Sequence, residues 1–179
     1  RRDTRKGTGS FYTPHELAYP TVRRTLTPLI YQGAKINSPD HILSLRVCDP
    51  SMGTGNFLIT ALHFLAQKLL ESIEHHEWVI YKDNQLTLKS PHFTGSLFIG
   101  FDTLARHGQV ERLKRWIYQA VAQRCIYGVD LDSISVKLAQ LALWIEVGTR
   151  SLPLNFFHKN LRCGNALIGA WLNHARHYP

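Results

Sequence analysis

The feature that most constrains this chain is a succession in residues 42–75: an apolar run that stops at an acid, a glycine-bearing turn, then a long stretch at helical spacing. Ile42 to Asp49 (ILSLRVCD) is short, apolar and bounded by turn residues, which predicts a buried strand. In Pro50-Ser51-Met52-Gly53-Thr54-Gly55 the glycines permit a sharp reversal and let a ligand approach bare backbone. From Asn56 to about His75, Phe57, Leu58, Ala61, Leu62, Leu65, Leu69, Leu70 and Ile73 recur at helical spacing. A second buried strand is predicted at Arg124 to Asp130 (RCIYGVD), again ending in an acid. The helix after it should run from about Ser133 to Gly148, capped by Asp132 or Ser133, with Ile134, Leu138, Leu141, Ala142 and Ile145 on one face. A third strand is expected at Asn160–Cys163, with Gly164-Asn165-Ala166-Leu167 at its end. This order is that of a doubly wound α/β sheet, where ligands bind beyond the carboxyl ends of the strands. Asp49, Asp130 and Asn165 all fall there.

Residues 1–13 form a polar arm, after which Thr13 as N-cap, Pro14 at the first helical position and Glu16 at the third predict a helix to about Tyr31. Pro20 marks a kink or a second start within it. Residues 76–107 lose the helical period; Glu77 to Leu88 alternates weakly, as in a hairpin around Asp83-Asn84, and residues 108–123 are helical again. A length of 179 residues with 44% hydrophobic composition suits one core. The longest apolar runs, such as Phe57 to Ala66, are interrupted by Thr60 and His63 and are too short to span a bilayer. No apolar segment follows Arg1 to Arg5, so no signal peptide is read and the expected compartment is cytoplasmic. The charged start without Met suggests a piece of something longer.

Cys48, Cys125 and Cys163 lie too far apart for a zinc knuckle or a disulfide framework, and each is expected as a buried thiol. His75-His76 cannot face one metal from a helix, and His174 and His177 have no acid or cysteine near them, so no metal site is expected. Trp78, Trp116, Trp144 and Trp171 read as core or interface aromatics. Lys and Arg number 21 against 13 Asp and Glu, a formal charge of +8. Arg1, Arg2, Arg5, Lys6, Arg23 and Arg24 cluster near the start, and Arg106, Arg112, Lys114, Arg115 and Arg124 in the middle. Such a surface favours polyanions, although a solvated helix face is the plainer account of Arg112, Lys114 and Arg115.

The glycine turn is neither of the common phosphate loops. A dinucleotide fingerprint needs a third glycine where Leu58 stands, and no Gly-Lys-Ser/Thr occurs. Asp49 would repel a phosphate; it suits a ligand with a positive group, such as an amino acid. A plain turn that uses glycine for geometry is the other reading. Asp130, at the end of the second strand, can accept two hydrogen bonds from ribose hydroxyls, and Asp132 is placed as a helix N-terminal acid. In the plainer account both acids are caps.

Four stretches carry a resemblance: Gly9-Ser10-Phe11-Tyr12-Thr13-Pro14, Asp49 to Leu58, Ile126 to Trp144 (IYGVDLDSISVKLAQLALW) and Leu161 to Gly169 (LRCGNALIG). In this order the chain resembles the S-adenosylmethionine-binding part of N6-adenine-specific DNA methyltransferases of the type IIG restriction–modification and phage-exclusion (BREX-like) kind. The resemblance implies a partial Rossmann-like class I methyltransferase fold with an N-terminal helical segment. Residues 1–40 would carry the Phe-Tyr-Thr-Pro motif, and residues 41–179 the N-terminal part of the domain with an insertion at about 76–123. It implies S-adenosyl-L-methionine as cofactor and DNA as partner of the full-length protein. Phe11, Tyr12, Thr13 and Pro14 would close over the methionine end, and Asp49, Ser51, Met52, Gly53 and Gly55 would line it. Asp130 would hold the ribose and Leu131 pack on the adenine. Asn165, beside Ala166, would accept from the adenine amino group where many relatives carry Asp. Phe57 either lines this cavity or packs in the core.

The catalytic string of that family, Asn/Asp-Pro-Pro-Tyr/Phe, does not occur in the sequence. The resemblance thus implies a cofactor-binding half, inactive alone, with no residue assignable as catalytic. An incomplete sheet also leaves an edge open to self-association. Two other readings stay open: a methyltransferase of the same fold acting on protein, RNA or a small molecule, and a non-enzymatic DNA-binding module.

Overall fold

A computed structural model of the chain describes residues 13–82, 85–88, 106–148 and 153–168. Helix α1 (His15–Ile30) turns Ala18, Val22, Leu26 and Ile30 to the core at a spacing of four. Its N-cap is Pro14, one residue beyond the Thr13 expected, and it makes no side-chain capping bond. The extended proline instead offers its carbonyl to the N–H groups of Leu17 and Ala18, both at 3.1 Å. Pro20 is no second start: it and Pro28 lie inside the helix at exposed positions, where a carbonyl left without its N–H donor can be hydrated.

Strands β1 (Tyr31–Gln32) and β2 (Lys35–Ile36) pair antiparallel around Gly33, whose φ of 65° a side chain would resist. The strand expected over 42–49 divides in two. Pro39–Ser44 form a short helix, α2, and only Val47–Asp49 form strand β3. Ser38 caps α2, accepting from the His41 N–H at 3.4 Å, and Pro39 opens it, so Ile42 and Leu43 are buried from a helix. Helix α3 (Asn56–His75) follows as expected. Strands β4 (Val79–Lys82) and β5 (Gln85–Leu88) form the expected antiparallel hairpin, with Lys82 opposite Gln85; the turn at Asp83-Asn84 lies outside the described residues. Helix α4 (Arg106–Cys125), strand β6 (Ile126–Asp130), helix α5 (Ser133–Val147), a 3-10 turn (Leu154–Lys159) and strand β7 (Leu161–Cys163) complete the order.

The architecture is mixed α/β, built on a small parallel sheet ordered β3-β6-β7. Val47 pairs with Ile126 and Asp49 with Gly128; Gly128 pairs with Leu161 and Asp130 with Cys163. All three carboxyl ends therefore meet at one edge. Helix α3 supplies the centre of the core through Leu58, Leu62, Leu65, Leu69 and Ile73, packed against Ile117 and Val121 of α4 and Ile126 of β6. Segment 76–123, read from sequence as an insertion, holds the hairpin and most of α4, which packs on both α3 and α5.

Two expectations about burial are corrected. Helix α5 buries Ser135, Val136, Ala139, Leu143 and Val147, whereas Ile134, Leu138, Leu141 and Ile145 are 65%, 47%, 43% and 60% exposed. The helix is apolar nearly all round, so its period does not decide which face turns inward. Among the cysteines only Cys125 is buried; Cys48 and Cys163 are exposed on the outer strands of the sheet. Trp78 and Trp116 are buried, Trp144 is half-buried and Trp171 lies outside the described residues. Among the described residues no helix is long and apolar enough to cross a membrane, and no three His, Cys, Asp or Glu side chains gather to hold a metal.

Candidate cofactor site

The carboxyl ends of β3 and β6 place two acids side by side, and the turn between β3 and α3 is folded over them. Asp49 is half-buried, and its Oδ1 accepts the Ser51 N–H at 3.0 Å. Asp130 reaches across to the same turn: its Oδ2 accepts from the Gly53 N–H at 2.8 Å, and its Oδ1 from the Asp132 N–H at 2.9 Å. A carboxylate has about four lone-pair sites, so Asp130 keeps acceptor capacity beyond these two bonds. The turn is pinned a second time by the Met52 N–H, which donates to the Val129 carbonyl at 3.0 Å. Burial pushes the Asp49 carboxyl above its usual range, the Ser51 bond pulls it down, and the neighbouring Asp130 charge pushes it up again. The pair thus forms a negatively charged, partly desolvated corner that favours a cation.

The glycines divide the work of the turn. Gly53 has φ 54°, and a Cβ there would meet nothing within 4 Å, so its backbone faces open space. Gly55, at φ 86°, is buried, and a Cβ would stand 3.0 Å from that of Ala139. Its bare backbone is what lets α5 pack against the turn. Met52 is 4% exposed; its side chain lies in the core, its sulfur 2.4 Å from where a Cβ on Gly128 would be. Phe57 is half-buried and packs on the core.

The remaining site residues gather around this corner unevenly. Ser51 is exposed on the turn, and Leu131 is 69% exposed just beyond Asp130. Gly164 follows β7 and donates to the Asp130 carbonyl at 2.9 Å, which ties the third strand end to the second. Asn165 and Ala166 are exposed beyond it, and Asn165 Oδ1 accepts from the Leu167 N–H at 2.9 Å. Asp132 caps α5: its carboxylate accepts from the N–H groups of Ile134 and Ser135 at 3.2 and 3.1 Å and from the Ser135 hydroxyl at 2.7 Å, which holds its pKa below the usual range. Phe11 and Tyr12 lie outside the described residues, while Thr13 and Pro14 are exposed at the start of α1.

Sequence reasoning missed the side chain that joins this start to the turn. Asn56 Nδ2 donates to the Thr13 carbonyl across 43 residues of chain, tethering the entry of α1 to the first residue of α3. It also missed a relay across three helices: the Tyr118 hydroxyl lies 2.9 Å from His63 Nδ1, and His63 Nε2 lies 2.8 Å from Glu146. Neither contact has a sequence signal, because each joins polar residues that helical spacing assigns to a solvated face.

Comparison with known proteins makes the chain a methyltransferase domain of the restriction–modification kind. Residues 34–178 match the family described as the DNA-methyltransferase domain of MmeI, and the chain belongs to that family. A protein of Methanocaldococcus jannaschii named as a type II restriction enzyme and methyltransferase is 26% identical over 214 aligned positions, covering 94% of this chain. The chain spans 15% of that relative's length.

Proposed function

We propose that this chain is the S-adenosylmethionine-binding region of a DNA adenine-N6 methyltransferase, on a Rossmann-like class I sheet. The observation that carries the reading is the adjacency of Asp49 and Asp130 at neighbouring strand ends, with a bare-backbone turn bonded across them. The donor set fits the group. Asp49 would balance the positive charge of the methionine end, with Ser51 and the open Gly53 backbone beside it. Asp130 would accept from ribose hydroxyls with the lone pairs that Gly53 and Asp132 leave. Leu131 would offer an exposed apolar surface to the adenine ring, and Asn165 an amide to its edge. Asn56 is a positioning residue, holding Thr13 and the segment before it near the turn.

When bound, S-adenosylmethionine supplies an electrophilic methyl group. Around it the chain's own residues would bind and orient. Transfer to adenine N6 in the whole protein needs in-line positioning more than a strong base, and a base drawn out of the duplex. The adenine assignment rests on the resemblance of the four motifs, and DNA as substrate rests on the family.

Calorimetric titration of the chain with S-adenosylmethionine tests the reading. Saturable binding is expected, weakened at least tenfold by Asp130→Ala in a variant that still unfolds cooperatively, at a melting temperature lowered by the loss of the Gly53 and Asp132 bonds. A folded chain that releases no binding heat, or an Asp130→Ala variant with parental affinity, overturns it.

A further inference from the structure

Away from the strand ends, the outer side of α1 is concave and basic. A hollow of about 600 Å³ lies along the outer seam of α1 and α3, which pack on each other beneath it, and a second of about 520 Å³ lies over Pro20, Arg24 and Pro28. Tyr19, Arg23 and Thr27 line both and Arg24 the second alone, so α1 presents a grooved face with Arg23 on the ridge between the hollows and Arg24 beside it. The opposite wall brings Lys68 of α3, whose ammonium donates to Glu71 at 2.7 Å and to the Tyr31 hydroxyl at 2.9 Å. Lys68 and Glu71 cancel each other's charge. Arg23 and Arg24 are exposed, and among the described residues no carboxylate pairs with either. Among the described residues, the lining of this face thus adds two guanidinium groups to the Lys68–Glu71 pair, and guanidinium groups match phosphate oxygens in a fork geometry.

Two open hollows side by side along one helix suit an extended polyanion better than a small ligand. Its position is also suitable. Arg23 follows Pro14 by nine residues, which is about 14 Å along α1. The start of α1 is tethered by Asn56 to the candidate site. That length matches about four phosphates counted along a duplex axis at 3.4 Å each. From this geometry we infer that the grooved outer face of α1 docks the sugar–phosphate backbone of duplex DNA through Arg23 and Arg24. The choice of DNA among polyanions rests on the function proposed above; the groove and its charge do not.

The test is the salt dependence of binding between the full chain and a fluorescently labelled duplex of arbitrary sequence. Arg23→Gln/Arg24→Gln is compared with Arg115→Gln/Lys159→Gln, which removes the same charge from exposed positions elsewhere. The groove pair is expected to lower the slope of log K against log salt by about 1.8, the value for two phosphate contacts, and the control pair by less than half of that. Equal losses from both pairs, or no duplex binding by the parent chain, overturn the inference. Matching melting temperatures confirm that every variant is folded. Titration of the same proteins with S-adenosylmethionine separates the two readings. Duplex binding through the arginines without cofactor binding keeps the groove and sinks the cofactor site, and the reverse result does the opposite.

Discussion

At the scale of single residues, Asp49 is a half-buried carboxylate whose charged form costs stability, in the place proposed to hold the cofactor. Burial and the charge of Asp130 raise its pKa above the ordinary carboxylate value of about 3.9. The folded state therefore holds a proton more readily than the unfolded state does, and stability falls as pH rises from that ordinary value through the raised one. Asp49→Asn removes the charge and leaves an oxygen for the Ser51 N–H. Its melting temperature should exceed the parent's at pH 7 and converge with it near pH 4, while its affinity for S-adenosylmethionine drops. A variant that melts below the parent at pH 7 would show that the carboxylate is stabilising after all. Gly128 is constrained differently. A Cβ there would come within 2.4 Å of Met52 Sδ and 2.8 Å of a Leu58 methyl, and neither side chain has room to swing out of the core. Gly128→Ala should destabilise by about 1–3 kcal/mol, the usual result of overpacking, and denaturant melts measure it directly.

At the scale of elements, what the sequence made legible was whatever depends on local chemistry. The boundaries of α3 follow from Gly55, which at φ 86° suits only glycine, and from an unbroken apolar period up to Ile73. The acids at the ends of β3 and β6 were placed because a short apolar run ending in Asp before a helix has few other meanings. The corner they form was therefore visible before any coordinates; the cap of the next helix was narrowed to Asp132 or Ser133, and the structure chooses Asp132. Two kinds of feature were not legible. Ile42 and Leu43 were assigned to a strand because a short apolar run does not distinguish strand from helix; Ser38 and Pro39, the capping signal just upstream, decide for helix. The inward face of α5 was misjudged because Val136, Leu143 and Val147 compete with Ile134, Leu138 and Ile145, and only tertiary packing chooses between them. That choice is testable. Leu138→Gln and Ile145→Gln should each change stability by less than about 0.5 kcal/mol, as surface substitutions do. Leu143→Ala, on the buried side, should cost about 2–5 kcal/mol. If the glutamine variants lose as much as Leu143→Ala, the exposed face is in fact covered.

At the scale of the whole molecule, the cysteines divide into surface reporters and one core reporter. Cys48 and Cys163 are exposed on the outer strands, and burial followed by the Asp49 charge raises the pKa of Cys48. Cys125 is fully buried where α4 turns into β6. Its thiol lies 3.7 and 3.8 Å from the carbonyls of Ile42 and Leu43, and burial pushes its pKa up to about 12. A reagent can reach it only if α2 parts from α4 and β6, which breaks the packing that holds α3 over the sheet. Native chain treated with an aromatic disulfide reagent should therefore react at two thiols quickly, Cys163 ahead of Cys48, with Cys125 following at a rate set by global opening. A ligand that binds only the folded state slows that opening by mass action, by about 2.7 kcal/mol at a hundred times its Kd. Saturating S-adenosylmethionine at that ratio should thus slow Cys125 about a hundredfold without slowing Cys48 by a similar factor. Fast labelling of Cys125 in native chain would mean that α2 opens locally. Slow labelling that the cofactor leaves unchanged would mean that its binding is not coupled to the fold holding Asp49 and Asp130 together.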